Sequence, residues 1–164
     1  MQMTTRTDNA IKIMLYLAAQ MEDRWVPASE IGSAIAASGF VVQKIVLDLS
    51  LANLLSTSRG RYGGIKLKRD LADIPLSEVV AVGERETGWK FTECDRRPDC
   101  DCYLSGGKCT LRAMYRNVQE QIMGIFGGIT LAQLRTKETD QAAREHYANY
   151  RSKAVDDIKV NVNT

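Results

Sequence analysis

Histidine is all but missing from this sequence: His146 is the only one in 164 residues. A catalytic site that needs histidine as base or metal ligand has little to draw on. Nucleophile–base pairs, phosphate-binding loops and paired carboxylates at a suggestive spacing are missing too, so the chain does not read as an enzyme and no small-molecule substrate is expected. The longest apolar runs, such as Ile11–Ala19, are broken by charge well short of a bilayer's thickness. This excludes a transmembrane helix and a membrane partner. The opening Met1–Asp8 lacks the basic-then-apolar order and small-residue cleavage site of a signal peptide, so a cytoplasmic chain with its cysteines in a reducing compartment is expected. What is present, 45% hydrophobic and 26% charged residues, is the balance of one globular domain with an appended element. A chain of this length can bury a core without disulfides.

The net charge of +2 hides an uneven distribution. Between Ser56 and Arg69 stand Arg59, Arg61, Lys66, Lys68 and Arg69 with no acid among them. Such a cluster is the footprint of nucleic-acid contact, although a solvated hairpin looks the same until its context is known. The context is a run of short helices. Helical spacing of apolar residues covers Asp8 to Met21, with Thr7 or Asp8 as the cap. Pro27-Ala28-Ser29-Glu30 opens a second, shorter helix. After the break at Ala37-Ser38-Gly39, a third runs from Phe40 to Ala52, with Val42, Ile45, Val46 and Leu49 inward and Gln43, Lys44 and Asp48 facing away. Two short helices joined by a tight turn make a helix-turn-helix, whose second helix enters the DNA major groove.

Leu54 to Lys68 then reads as strand, glycine-rich turn and strand. A hairpin directly after a helix-turn-helix is a wing. The fold expected is mainly α with a small β-hairpin: a winged helix-turn-helix domain followed by a long dimerisation helix. The DNA contacts expected are Ser38, Phe40, Val41, Gln43 and Lys44 at the start of the third helix, with Arg59, Arg61 and Lys66 on the wing; Val41 has a place in the core as its plainer role. A short helix follows from Leu76 to Glu84. From Thr110 to Phe126 an apolar seam of Leu111, Met114, Val118, Ile122 and Ile125, continued by Ile129, suits a helix packed along its copy in a homodimer. The boundaries are 1–84 for the winged domain, 85–109 for a cysteine-rich loop, 110–135 for the dimerisation helix and a short following helix, and 136–164 for a polar, marginal helix that loses order at Lys159–Thr164.

All four cysteines fall in one sixteen-residue window, Cys94-x5-Cys100-x-Cys102-x6-Cys109, within a polar loop. Packing does not explain four thiols there. A cluster, a zinc site and a thiol switch remain. Paired C-x2-C knuckles usual for zinc are missing, whereas an iron–sulfur core accepts irregular loop spacings. The cluster ranks first, as 4Fe-4S or 2Fe-2S, and a thiol–disulfide switch last.

The opening Met3-Thr4-Thr5-Arg6-Thr7-Asp8-Asn9-Ala10, the wing Arg59-Gly60-Arg61-Tyr62-Gly63-Gly64-Ile65-Lys66-Leu67 and the block Ile74-Pro75-Leu76-Ser77-Glu78-Val79-Val80 are motifs in a fixed order. With Cys109-Thr110-Leu111-Arg112 and Ile129-Thr130-Leu131-Ala132-Gln133-Leu134, they make the chain similar to the Rrf-two (Rrf2) family of bacterial winged-helix regulators over about residues 1–135. The resemblance implies a double-stranded operator as partner, a repressor role, and control by a cluster that senses nitric oxide, redox state or iron supply. Family members typically offer three loop cysteines; Cys94 and Cys109 match the first and last, and Cys100 or Cys102 is the middle one. IscR-like members carry histidine where Arg112 stands. In NsrR-like members an acidic residue near the start of the first helix completes the cluster of the other subunit, and Asp8 occupies that place. The rival is a site of four thiolates, or a zinc-stabilised or thiol-redox protein without a cluster.

Overall fold

The computed structural model describes residues 3–20, 24–60, 62–85 and 109–162, with side chains to residue 153. In order these form α1 (Thr5–Ala18), α2 (Ala28–Ala34), α3 (Gly39–Leu51), strands β1 (Leu55–Ser58) and β2 (Gly64–Leu67), α4 (Leu76–Gly83), α5 (Thr110–Gly127) and α6 (Lys137–Val162). Single 3-10 turns lie at Leu71–Asp73 and Leu131–Leu134. The mostly helical architecture with one two-stranded antiparallel sheet is the one expected.

α1 begins one turn earlier than its apolar spacing suggests. Thr4 is the cap, its hydroxyl accepting the Thr7 N–H at 3.3 Å. Thr7 is fully buried and Asp8 lies in the first turn, so neither is the cap. The physical reason lies eighty residues away. Buried Glu84, just after α4, accepts the Thr4 N–H at 3.0 Å and both threonine hydroxyls, fixing where the helix starts. α2 and α3 meet at 109°, within the helix-turn-helix range. Ala36, in a left-handed conformation at φ 55°, makes the turn, and Ser38 caps α3 by accepting the Val41 N–H at 3.3 Å. Ala10, Ile13 and Met14 of α1 pack with Ile31, with Val42, Ile45 and Leu49 of α3, and with Val79 and Val80 of α4.

The sheet pairs Leu55 with Leu67 through to Ser58 with Gly64. Val26 joins its edge, exchanging two backbone hydrogen bonds with Ile65. Gly64 permits this approach, since a Cβ there would lie 2.7 Å from the Val26 carbonyl oxygen. Backbone bonds from Leu76 N–H to the Ile129 carbonyl (2.8 Å) and from Leu131 N–H to the Ile74 carbonyl (2.9 Å) tie the end of α5 to the start of α4. Leu131 is wholly buried in the same core as the inward residues of α1, α3 and α4.

α4 touches α1 through Gly83, where a Cβ would meet Thr7 Oγ1 at 2.3 Å and its Cα at 2.6 Å. Gly83→Ala is expected to cost about 1–3 kcal/mol by overpacking. A lower urea midpoint with an unchanged slope checks this.

The polar C-terminal stretch forms the helix α6, Lys137–Val162. Polar and aromatic contacts replace the missing apolar stripe. Arg24 lies 3.8 Å over the Tyr147 ring, and His146 sits edge-on to Tyr16 with its Nε2 3.2 Å from Ser33 Oγ. Tyr150 shares a hydrogen bond with Ser29 at 3.0 Å. Beneath them, buried Glu30 accepts from Tyr16 at 2.8 Å and from Arg24 at 2.9 Å. Burial, then the bond to Glu30, holds the Tyr16 phenol well above its ordinary pKa.

Candidate nucleic-acid interface and cysteine site

The start of α3 turns one side to the core and the other outward. Ser38, Gln43 and Lys44 are exposed, Phe40 is 66% exposed and Val41 is 38% exposed. Val42, one residue on, is the core residue; the plainer role weighed for Val41 is therefore ruled out. Lys44 Nζ stands 4.6 Å from the Phe40 ring centroid, a cation–π contact that limits the wandering of a long side chain. The turn thus offers a cation, an amide and two apolar groups to a groove. These are the kinds of group that contact phosphates, purine edges and thymine methyls.

On the wing the five basic residues divide. Arg59 is exposed beside Gly60, whose φ of 102° suits glycine alone. Arg61 lies outside the described residues. Lys66 is half-buried, with its ammonium 4.9 Å from the Trp25 ring centroid. Lys68 donates to Asn53 at 2.9 Å, and Arg69 pairs with Glu78 at 2.7 Å. Each of the last three thus has a partner within the subunit, and Arg59 stands at the tip. Tyr62, between Arg61 and Gly63 in sequence, is 84% exposed at that tip.

Asp48 does not simply face away. Its side chain is only 17% exposed and is shared between Arg6 of α1 and Arg85, whose Nη1 approaches to 3.2 Å. Along α5 the seam is open: Leu111 is 47% exposed, Met114 52%, Val118 38% and Ile125 62%, with Ile122 half-buried. A neighbouring face, through Met123 and Phe126, packs on the hydrophobic core. One side of α5 therefore anchors it, and the other presents apolar surface.

Cys109 is half-buried at the N-cap of α5, its sulfur accepting the Arg112 N–H at 3.4 Å. Asp8 is 55% exposed on α1 and accepts from Lys12 Nζ at 2.6 Å. Cys94, Cys100 and Cys102 lie outside the described residues. Among the described residues, no three of His, Cys, Asp or Glu converge as metal ligands do.

Comparisons with known proteins agree with this anatomy. The family model Rrf2, described as an iron-dependent transcriptional regulator, matches residues 3–137. The regulator NsrR of Geobacillus kaustophilus is 31% identical over 134 residues, covering 82% of this chain and 89% of that protein. The regulator IscR of Klebsiella pneumoniae is 26% identical over 166 residues, covering 98% and 99%. Among solved structures, CymR of B. subtilis, titled a global cysteine regulator, superposes with a TM-score of 0.60 at 19% identity, over 82% of this chain and 95% of that one.

Proposed function

The chain belongs to the Rrf2 family of transcriptional regulators, and from that premise we propose that it is a homodimeric repressor whose grip on a double-stranded operator is set by an iron–sulfur cluster. The observation that carries this reading is the confinement of all four cysteines to residues 94–109, a segment that ends at the N-cap of α5. The donor chemistry fits: soft thiolates suit iron–sulfur cores, and Cys109 stands half-buried at the N-cap of α5. Cys94, Cys109 and one of Cys100 or Cys102 would hold the group, with Asp8 given by the second subunit. Asp8 is turned outward from its own core, as a residue that reaches another subunit must be. When bound, such a group supplies a core that is reactive towards nitric oxide and oxidants.

The protein's own part is geometric. Cys109 starts α5, and Asp8 stands on the first turn of α1 in the reading head. A common hold on both would tie one subunit's long helix to the other's head, and releasing them would free the angle between the two heads. A dimer reads two half-sites at a fixed separation, so a small rotation costs several contacts at once. A coupling of about 1–3 kcal/mol changes operator affinity about 5–150-fold.

On the operator, Gln43→Ala is expected to relax sequence preference, because an amide pairs bidentately with adenine. Lys44→Ala should weaken binding evenly and reduce the salt slope by about one. Arg59→Ala should cost about 1–3 kcal/mol of binding. Titrations over several salt concentrations separate these cases; wild-type binding by both α3 variants would show that α3 is not the reader.

Anaerobic purification followed by iron, acid-labile sulfide and zinc analysis tests the proposal as a whole. A coloured protein with iron and sulfide is expected. A colourless protein containing zinc, or metal-free with cysteine disulfides after oxidation, would replace it with the zinc-stabilised or thiol-redox alternative.

A further inference from the structure

Asp48 stands on the reading helix, away from the end that faces DNA. One carboxylate oxygen receives Arg6 of α1, and the other receives Arg85 beyond α4 at 3.2 Å. Arg6 is two residues from Asp8, and Arg85 is the last described residue before the segment that carries Cys94, Cys100 and Cys102. Beside Arg85, the buried Glu84 carboxylate takes three hydrogen bonds from Thr4 and Thr7. Gly83 brings α4 close enough for this. The start of α1, the reading helix and the exit of α4 therefore meet in one polar node, at both points where the proposed sensor joins the head.

The two arms of Asp48 differ in character. Arg6 is 20% exposed and belongs to the packed body, whereas Arg85 is 62% exposed. An exposed ion pair contributes little to stability, so the Arg85 arm can be made or broken at little cost to the fold. We propose that Asp48 is the positioning residue of α3. Held to α1 by Arg6, it takes or loses Arg85 as the exit of α4 shifts, and so passes a change in the ligation of the cysteine segment to the operator contacts. This rests on the reading of α3 as the DNA reader and of the cysteines as the sensor.

The test uses the full-length protein and a duplex that the wild-type protein itself selects from a random library. Asp48→Asn keeps the shape and removes the charge. Its loaded-to-free affinity ratio should fall to about twofold or less, near the limit of additivity, with iron content and dimer mass unchanged. Asp48→Glu, which keeps the charge, should restore most of the wild-type ratio; a purely structural role would not track the charge in this way. In the metal-free protein, Asp48→Asn combined with Arg85→Gln should bind the duplex no more weakly than Asp48→Asn alone. Additive losses in that cycle, or an undiminished ratio in Asp48→Asn, would overturn the role. Wild-type protein without iron would instead remove the cluster reading, and the metal-free cycle would then decide the role of Asp48.

Discussion

Replacing Met114 and Ile125 together with glutamate is expected to convert the protein from dimer to monomer and to lower operator affinity roughly 10²–10⁴-fold, the scale of lost bivalency. Both side chains are more than half exposed on the seam of α5, so the charges would sit in water in a single subunit and leave its core intact. In the proposed homodimer they would face apolar side chains and like charges, where unpaired carboxylates are costly. A monomer holds one half-site, and the second head no longer benefits from tethering. Sedimentation gives the mass, and circular dichroism checks that helix content is retained. A doubly substituted protein that remains dimeric would place the interface elsewhere.

The second large effect is at the cysteines. Cys109→Ser should abolish loading of iron and sulfide while leaving the fold intact. Serine is among the preferred N-cap residues, so the bond now made by the Cys109 sulfur to the Arg112 N–H has a ready replacement. What is lost is the soft ligand. Asp8→Ala should behave differently: a carboxylate is a harder partner, so loading should occur but decay faster in air. Replacing the spare cysteine of the Cys100–Cys102 pair should change little. Iron content and visible absorption followed with time separate these cases. Normal loading of Cys109→Ser would exclude that residue as a ligand. Wild-type decay in Asp8→Ala, with all four cysteines individually required, would point to four thiolates and undo the tie between subunits.

The winged helix was legible because its signals are local. Val42, Ile45, Val46 and Leu49 recur at helical spacing and are all buried. The turn from Arg59 to Gly64 holds the glycines that the hairpin requires, one at a positive φ. What could not be read depends on distant partners. Several residues in Thr4-Thr5-Arg6-Thr7-Asp8 can cap a helix, and Glu84, remote in sequence, selects Thr4. Asp48 looks like a solvated charge on a helix face until packing brings Arg6 and Arg85 to it. The partners of Lys66, Lys68 and Arg69, namely Trp25, Asn53 and Glu78, are likewise brought to them only by packing. α6 has no apolar stripe to read, because it docks through Tyr147, His146 and Tyr150. Cysteine spacing alone ranks a cluster above zinc, because paired C-x2-C knuckles are missing from residues 94–109.

The most direct measurement is the affinity of one anaerobic preparation for its selected operator, before and after the metal is removed by chelation or exposure to nitric oxide. Control of a repressor by an iron–sulfur cluster requires the two values to differ by about 5-fold or more, within the usual range of allosteric coupling, with tighter binding in the loaded state. Equal affinities in the two states, in a preparation shown to contain iron and sulfide, would contradict it.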